Sequence, residues 1–401
     1  MGKKVIVAGH VCLDITPAFP ETGKRMISEI LKPGKLIETK GVSVSAGGAV
    51  ANTGLAMKFF GADVRLMGKV GCDEFGEMIC NILKKHGADE YMIHAGNETS
   101  SYSVVIAVPG IDRIFLHCPG TNNTFKASDI PDDILKDTVL FHFGYPSLMR
   151  GMYTDNGEEL VRLFKKVKES GCATSLDLAA VDPNSESGRT DWKVILKKIL
   201  PYTDFFVPSI EELCFMIDRD RFESWQERAK GGDITEVLDP ENDISPLADM
   251  CMDLGCGVLL LKCGAPGMYY RTGNADRLKG LPEKLGLDTE AWSDKVGFER
   301  SYKPDAVLSG TGAGDTSIAA FLTAMLEGGR PEECIKLAAA AGACCVSAYD
   351  ALSGLKPLNQ LREKISAGWE KNSIKQKGKV YMSDHGIFKT HELFFADQDK
   401  V

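Results

Sequence analysis

A mostly parallel β-sheet with helices on both faces follows from three features of this 401-residue chain. From about residue 138 onward, short apolar or β-branched runs alternate with segments of helical length, the pattern of βαβ units. The chain also opens on such a run, residues 5–8, which ends at Gly9 as a buried strand would. Finally, a glycine-rich loop, residues 310–316, feeds directly into ten helix-compatible residues, 317–326. In open sheets of this kind ligands sit beyond the carboxyl ends of the strands, where such loops lie.

The elements follow in order. Residues 14–45 mix polar and apolar residues with turn signals at Pro17, Pro20, Gly23 and Pro33-Gly34. Residues 50–60 read as a helix opened by glycines, 64–70 as a strand and 75–86 as a helix. Met78, Ile79, Ile82 and Leu83 stand at helical spacing in the last of these, and Gly87 marks its end. Residues 101–108 and 113–117 flank Pro109-Gly110 and read as a hairpin. Beyond it, strands are expected at 139–143, 173–177, 205–207 and 257–262. Helices are expected at 158–169, 192–200, 210–217 and after Asp315. Residues 218–246 and 273–303 look like insertions, and the polar segment from about 371, with residues 388–395 near its end, is a tail or a docked element.

Bulk properties narrow the function. An apolar share of 44 % supports a sizeable core. A net charge of −9 argues against general nucleic-acid affinity, which rests on neutralising phosphates. No apolar stretch reaches membrane-spanning length, and the N-terminal apolar run is too short for a secretion signal. The twelve cysteines include no Cys-x-x-Cys pair and read as reduced thiols, so a cytoplasmic location is expected.

The loop Gly310-Thr-Gly-Ala-Gly-Asp-Thr316 carries the chemistry. Gly312, Ala313 and Gly314 let the backbone approach a ligand closely. The following helix N-terminus favours an anion such as phosphate. Asp315 is poorly suited to hold that anion but well suited to take a proton from a hydroxyl. The same residue could instead be an ordinary helix N-cap. Gly47-Gly48 opens a second helix with Asn52 one turn in, a site for a hydroxylated ligand or simply a tight turn. Asp14 follows the first strand and could accept bonds from sugar hydroxyls, or be a solvated loop acid. Ser209 and Glu212 begin a helix, where Glu212 could face a hydrated Mg²⁺ or merely satisfy the helix dipole. Lys262 and Gly264 follow another strand and could line a nucleotide or simply turn the chain. Asp73, between Gly71 and Gly76, suits an N-cap and a structural role.

In their order and spacing these pieces resemble the ribokinase-like (PfkB) carbohydrate kinase family, from about residue 4 to 355. The resemblance implies a three-layer α/β/α kinase domain over residues 1–368, with a small β-sheet lid from segments near 14–45 and 97–120, and a C-terminal extension at 369–401. It implies a kinase that uses ATP and Mg²⁺ to phosphorylate a hydroxyl of a small sugar or polyol. Asp315 would be the general base, and Gly312, Ala313 and Gly314 would give amides to the phosphoryl group. Asp14, Gly47, Gly48 and Asn52 would hold the acceptor; Ser209, Lys262 and Gly264 would lie at the nucleotide, with Glu212 reaching the metal through water. Ser309 stands where family members have an aspartate that helps hold a monovalent cation. A homodimer through the lid is implied as well. Two alternatives stay open: a nucleoside kinase for an adenosine- or pseudouridine-like acceptor, with Tyr102, Phe115 or Phe19 as a base platform, and a non-catalytic sugar or nucleotide sensor.

Overall fold

Thirteen strands, found among the described residues of a computed structural model, form two sheets. The structure describes residues 3–373 except 22, 24, 25, 110 and 112. The strands are β1 (Lys4–Gly9), β2 (Cys12–Pro17), β3 (Val42–Gly47), β4 (Asp63–Gly71), β5 (Ile93–Ala95), β6 (Tyr102–Ile106) and β7 (Ile114–Cys118). They continue with β8 (Thr138–Gly144), β9 (Ala173–Asp177), β10 (Phe205–Phe206), β11 (Val258–Cys263), β12 (Gly267–Thr272) and β13 (Val296–Arg300). The large sheet has the order β13-β12-β11-β10-β9-β8-β1-β4-β5. It is parallel from β11 to β5, and β12 and β13 close one edge antiparallel.

The alternation of β1 shows why the sheet lies between two helical layers. Val5 and Val7 face one core, shared with the helices Gly48–Phe59, Ala313–Leu326 and Pro331–Cys345. Ile6 and Ala8 face the other, shared with Leu160, Leu163, Trp192 and Ile195. All four β1 side chains are fully buried, as the two-fold strand period requires of a strand covered on both faces. The helix Glu158–Glu169 buries only Leu160, Leu163, Phe164 and Val167, a 3.6-period stripe with charged residues opposite.

The small sheet has the order β3-β2-β6-β7 and stands against the carboxyl end of β1. Its first two strands replace the irregular stretch expected near residue 14. Asp14 therefore lies inside β2, paired with Ser45 and Ser103, and not in a loop. The hairpin of β6 and β7 lies where the sequence placed it.

Both presumed insertions carry structure. Residues 218–246 contain the helix Arg219–Ala229, which buries Trp225 alone and so shows no apolar period. Its anchor is polar: Asp243 accepts from Trp225 Nε1 at 2.9 Å and pairs with Arg228 at 2.7 Å. Residues 273–303 contain β13. At the described end of the chain, the Trp369 ring stacks on Tyr302 and the Asn372 amide donates to Ser301 O, so the extension begins by packing on the body. Residues 388–395 lie outside the described residues. All twelve cysteines are free and nine are buried. Among the described residues no helix is long and apolar enough to cross a membrane.

Candidate active site

The carboxyl ends of β1, β8, β9 and β11 open toward one place, the start of the helix Ala313–Leu326. Gly312 is its N-cap residue, with a left-handed backbone of φ 76°. A Cβ there would come within 2.4 Å of Ala351 Cβ, so the loop can take this path only with glycine. The amides of Ala313 and Thr316 are bonded by Gly310 O and Gly312 O. Asp315 is not the cap but a residue of the first turn, 5 % exposed.

Three donors converge on its carboxylate. Thr53 Oγ1 donates to Oδ1 at 3.0 Å and Tyr145 OH to the same oxygen at 2.6 Å. Asn52 Nδ2 donates to Oδ2 at 3.1 Å. The Gly48–Phe59 and Ala313–Leu326 helices thus meet through polar side chains, and Asn52 touches the residue expected to do the chemistry.

Gly47 and Gly48 explain how the rest of this wall closes. A Cβ on Gly47 would lie 2.1 Å from Asp14 Oδ2. On Gly48, at φ 83°, it would lie 2.5 Å from His10 O and 2.6 Å from His10 Nδ1. Both glycines are therefore needed for close approach. Burial pushes the Asp14 carboxyl up, and hydrogen bonds from Cys12 and Ser103 partly oppose this. Between small sheet and body lies a cleft of about 1020 Å³, lined among others by Asp14, Asn52, Arg113, Phe115, Ser309 and Thr311. Ser309 Oγ accepts from Arg113 Nη1 at 3.3 Å and from the Thr311 amide at 3.1 Å. Of the other aromatics considered as platforms, Tyr102 packs edge-on to Phe75 at 5.3 Å between ring centroids.

On the other side of the loop, Lys262 Nζ binds both oxygens of Asp177, at 2.8 and 3.0 Å. A Cβ on Gly314 would sit 3.5 Å from this ammonium, so Lys262 borders the glycine-rich loop. Burial pushes the Asp177 carboxyl up to about 8; Lys262 opposes this, while Glu212 and Asp315 add to it. Burial acts to lower the Lys262 ammonium, but Asp177, Glu212 and Asp315 more than offset it, and the net direction is upward. Both partners hold protons more tightly, Asp177 chiefly through burial and Lys262 through the neighbouring carboxylates. Ser209 and Glu212 form a reciprocal capping box, with Glu212 Oε2 accepting from the Ser209 amide at 3.1 Å. Gly264, at φ 59°, lies against Thr235, which a Cβ would meet at 2.7 Å. Asp73 accepts from the Gly76 amide as an N-cap.

The sequence brought Asp315, Asn52, Asp14, Lys262 and Glu212 forward. It did not bring forward Thr53, Tyr145, Asp177 or His10. Asp177 had a usable signal, a carboxylate ending an otherwise uncharged strand.

A doubly wound body, a small sheet across its mouth and a buried carboxylate behind a glycine-rich helix start define a sugar-kinase type of site. Comparison with known proteins agrees. Residues 3–357 match the model of the pfkB family of carbohydrate kinases, and the chain belongs to that family. It is 25 % identical over 303 residues to an uncharacterized sugar kinase of Archaeoglobus fulgidus, covering 75 % of this chain and 98 % of the relative. Among solved structures, the ribokinase of Arabidopsis thaliana complexed with ribose and ATP superposes with a TM-score of 0.65, at 21 % identity over 90 % of this chain and 98 % of that one. An E. coli structure of the same fold holds ATP and Mg²⁺, with a TM-score of 0.65, 20 % identity and 91 % and 99 % coverage.

Proposed function

We propose that this carbohydrate kinase transfers the γ-phosphoryl group of ATP to a hydroxyl of a small sugar or polyol, with Asp315 as general base. The observation that carries the reading is the Asp315 carboxylate, buried in the first turn of a helix whose start is built from Gly312, Ala313 and Gly314 and tied to Asn52. Asp14, Gly47, Gly48 and Asn52 would hold the acceptor in the cleft beneath the small sheet, which acts as a lid.

The residues opposite fit a nucleotide with its metal. Glu212 and Asp315 act as negative charges on the Lys262–Asp177 pair, a field that favours a divalent cation. Mg²⁺ keeps most of its waters and borrows few carboxylates, so a single one is enough to place it. Glu212 would reach it through water, and Ser209, Lys262, Gly264 and the amides of Gly312 and Gly314 would hold the nucleotide, whereas the Ala313 amide is already bonded by Gly310 O. When bound, ATP supplies the phosphoryl group and Mg²⁺ neutralises charge on it. The chain's own part is to hold the acceptor hydroxyl in line, accept its proton at Asp315 and exclude water.

The test is a phosphorylation screen with Mg²⁺ and ATP against hexoses, pentoses, polyols and nucleosides. ATP-dependent product with a sugar or polyol supports the reading. Product with nucleosides alone would replace it by the nucleoside kinase, and neither product nor ATP turnover with any of them would sink it.

Arg113 donates to Ser309 Oγ, which brings a cationic side chain beside the loop. Serine offers an ion only a neutral oxygen, which compensates lost hydration poorly. Exchanging KCl for a bulky ammonium chloride at constant ionic strength should therefore change the initial rate less than about tenfold. A larger loss would show that other oxygens build a potassium site.

The homodimer is proposed at the free edge of the small sheet. There Ile114 and Leu116 of β7, on the face away from Phe115 and the cleft, are 37 % and 54 % exposed, an apolar pair that a second copy could cover. Sedimentation of the native chain should give a dimer, and Leu116→Lys should shift it to monomer. A wild-type monomer at micromolar concentration would refute this.

A further inference from the structure

We propose that Tyr145 is a positioning residue for Asp315: its phenol engages Oδ1 and leaves Oδ2 as the oxygen that receives the acceptor's proton. The proposal rests on the kinase reading above.

Tyr145 directly follows β8 and has a left-handed backbone, φ 68° and ψ 43°. This conformation is costly for a bulky L-residue, and such strain is often held at functional sites. Its amide is bonded by Asp177 O at 3.3 Å, and Pro146 stiffens the next step of the chain. The phenol reaches Asp315 Oδ1 across 170 residues of sequence, at 2.6 Å, the length of a charge-assisted O–H···O⁻ bond.

Counting acceptor sites makes the case. A carboxylate oxygen offers two lone-pair directions. Oδ1 spends both, one on Tyr145 and one on Thr53. Oδ2 spends one on Asn52, which leaves a direction for a hydroxyl proton. The phenol stays a donor throughout the working pH range. Burial raises its proton affinity well above the usual range, and the charges of Asp315, Asp177 and Glu212 raise it further. The other groups facing this pair are the His10 ring, 5.9 Å from the Tyr145 ring, and the Cys345 thiol and Lys262 ammonium near Asp315. Burial holds His10 neutral, down to about 3, so it does not titrate where the reaction would be measured.

Tyr145→Phe removes one oxygen and keeps ring and backbone. The expected result is a roughly 10-fold lower kcat with both KM values within about twofold. The ¹³C chemical shift of the Asp315 carboxyl, read at one fixed pH in the acceptor-free protein, should change, because Oδ1 loses one of its two donors. This second readout needs no turnover. If the wild type phosphorylates nothing on the panel, the kinase reading fails, while the carboxyl shift still judges Tyr145. An unmoved carboxyl shift in the folded variant overturns the proposal. So does a loss that falls on either KM with kcat unchanged, which would mean a binding or packing role only.

Discussion

Asp315→Asn is expected to lower kcat by roughly 10²–10⁴ with ATP binding little changed, the scale of losing a general base. The amide has nearly the same size, and its oxygen can still accept from the side that faces Thr53 and Tyr145. Toward Asn52 the match is worse, since Asn52 Nδ2 now donates to Oδ2, where the variant would place an NH₂. That clash costs some order but leaves the loop path, which Gly312 and Ala351 fix, in place. The measurement is steady-state kinetics on the best acceptor from the panel, with nucleotide affinity by calorimetry. A folded variant with near-normal turnover would remove Asp315 from the chemistry. A variant that fails mainly to bind ATP would assign it to the nucleotide instead.

How far the sequence could be read depended on whether the signal was local. The helix Glu158–Glu169 and the strand β9 have the bounds expected; the helix is set by its own apolar period, and β9 by a short uncharged run that ends at a carboxylate. The helix Arg219–Ala229 was not legible, because only Trp225 is buried and its anchor, Asp243, lies eighteen residues away. The strands β12 and β13 extend the sheet antiparallel behind glycines, Gly267 and Gly297, that read as loop. At the site, glycines that must be glycine announced the two loops. The partners of Asp315 did not announce themselves: Thr53 is one more threonine in a helix until the fold brings it across 262 residues. Asn52 was expected to serve the acceptor alone. Its bond to Asp315 joins acceptor binding to the base, so its loss would disturb both.

Lys262→Met separates the charge balance of the site from its chemistry. The ammonium lies between Asp177 and the glycine-rich loop, and we expect it to contact transferring phosphate. Its removal should lower kcat/KM by roughly 10²–10³, the scale of losing one preorganised donor. Stability should respond with a definite sign. The Asp177 carboxyl is already raised to about 8 in the folded chain, well above its unfolded value. A group raised on folding contributes stability that is full below the unfolded value and is lost as pH rises through the folded one. Without Lys262 the folded value climbs further, so Asp177 stays protonated while the wild type ionises. The variant's penalty should be near zero below about pH 6 and on the order of 1–2 kcal/mol at pH 9, since each unit beyond the wild-type value adds about 1.4 kcal/mol. Urea unfolding of both proteins across this range gives the difference. Adding Asp177→Asn removes the ionisable partner, so the double variant should recover stability at pH 9 but not activity. A penalty independent of pH would mean that Lys262 does not stabilise by pairing with Asp177, and recovery of activity in the double variant would exclude the phosphate contact.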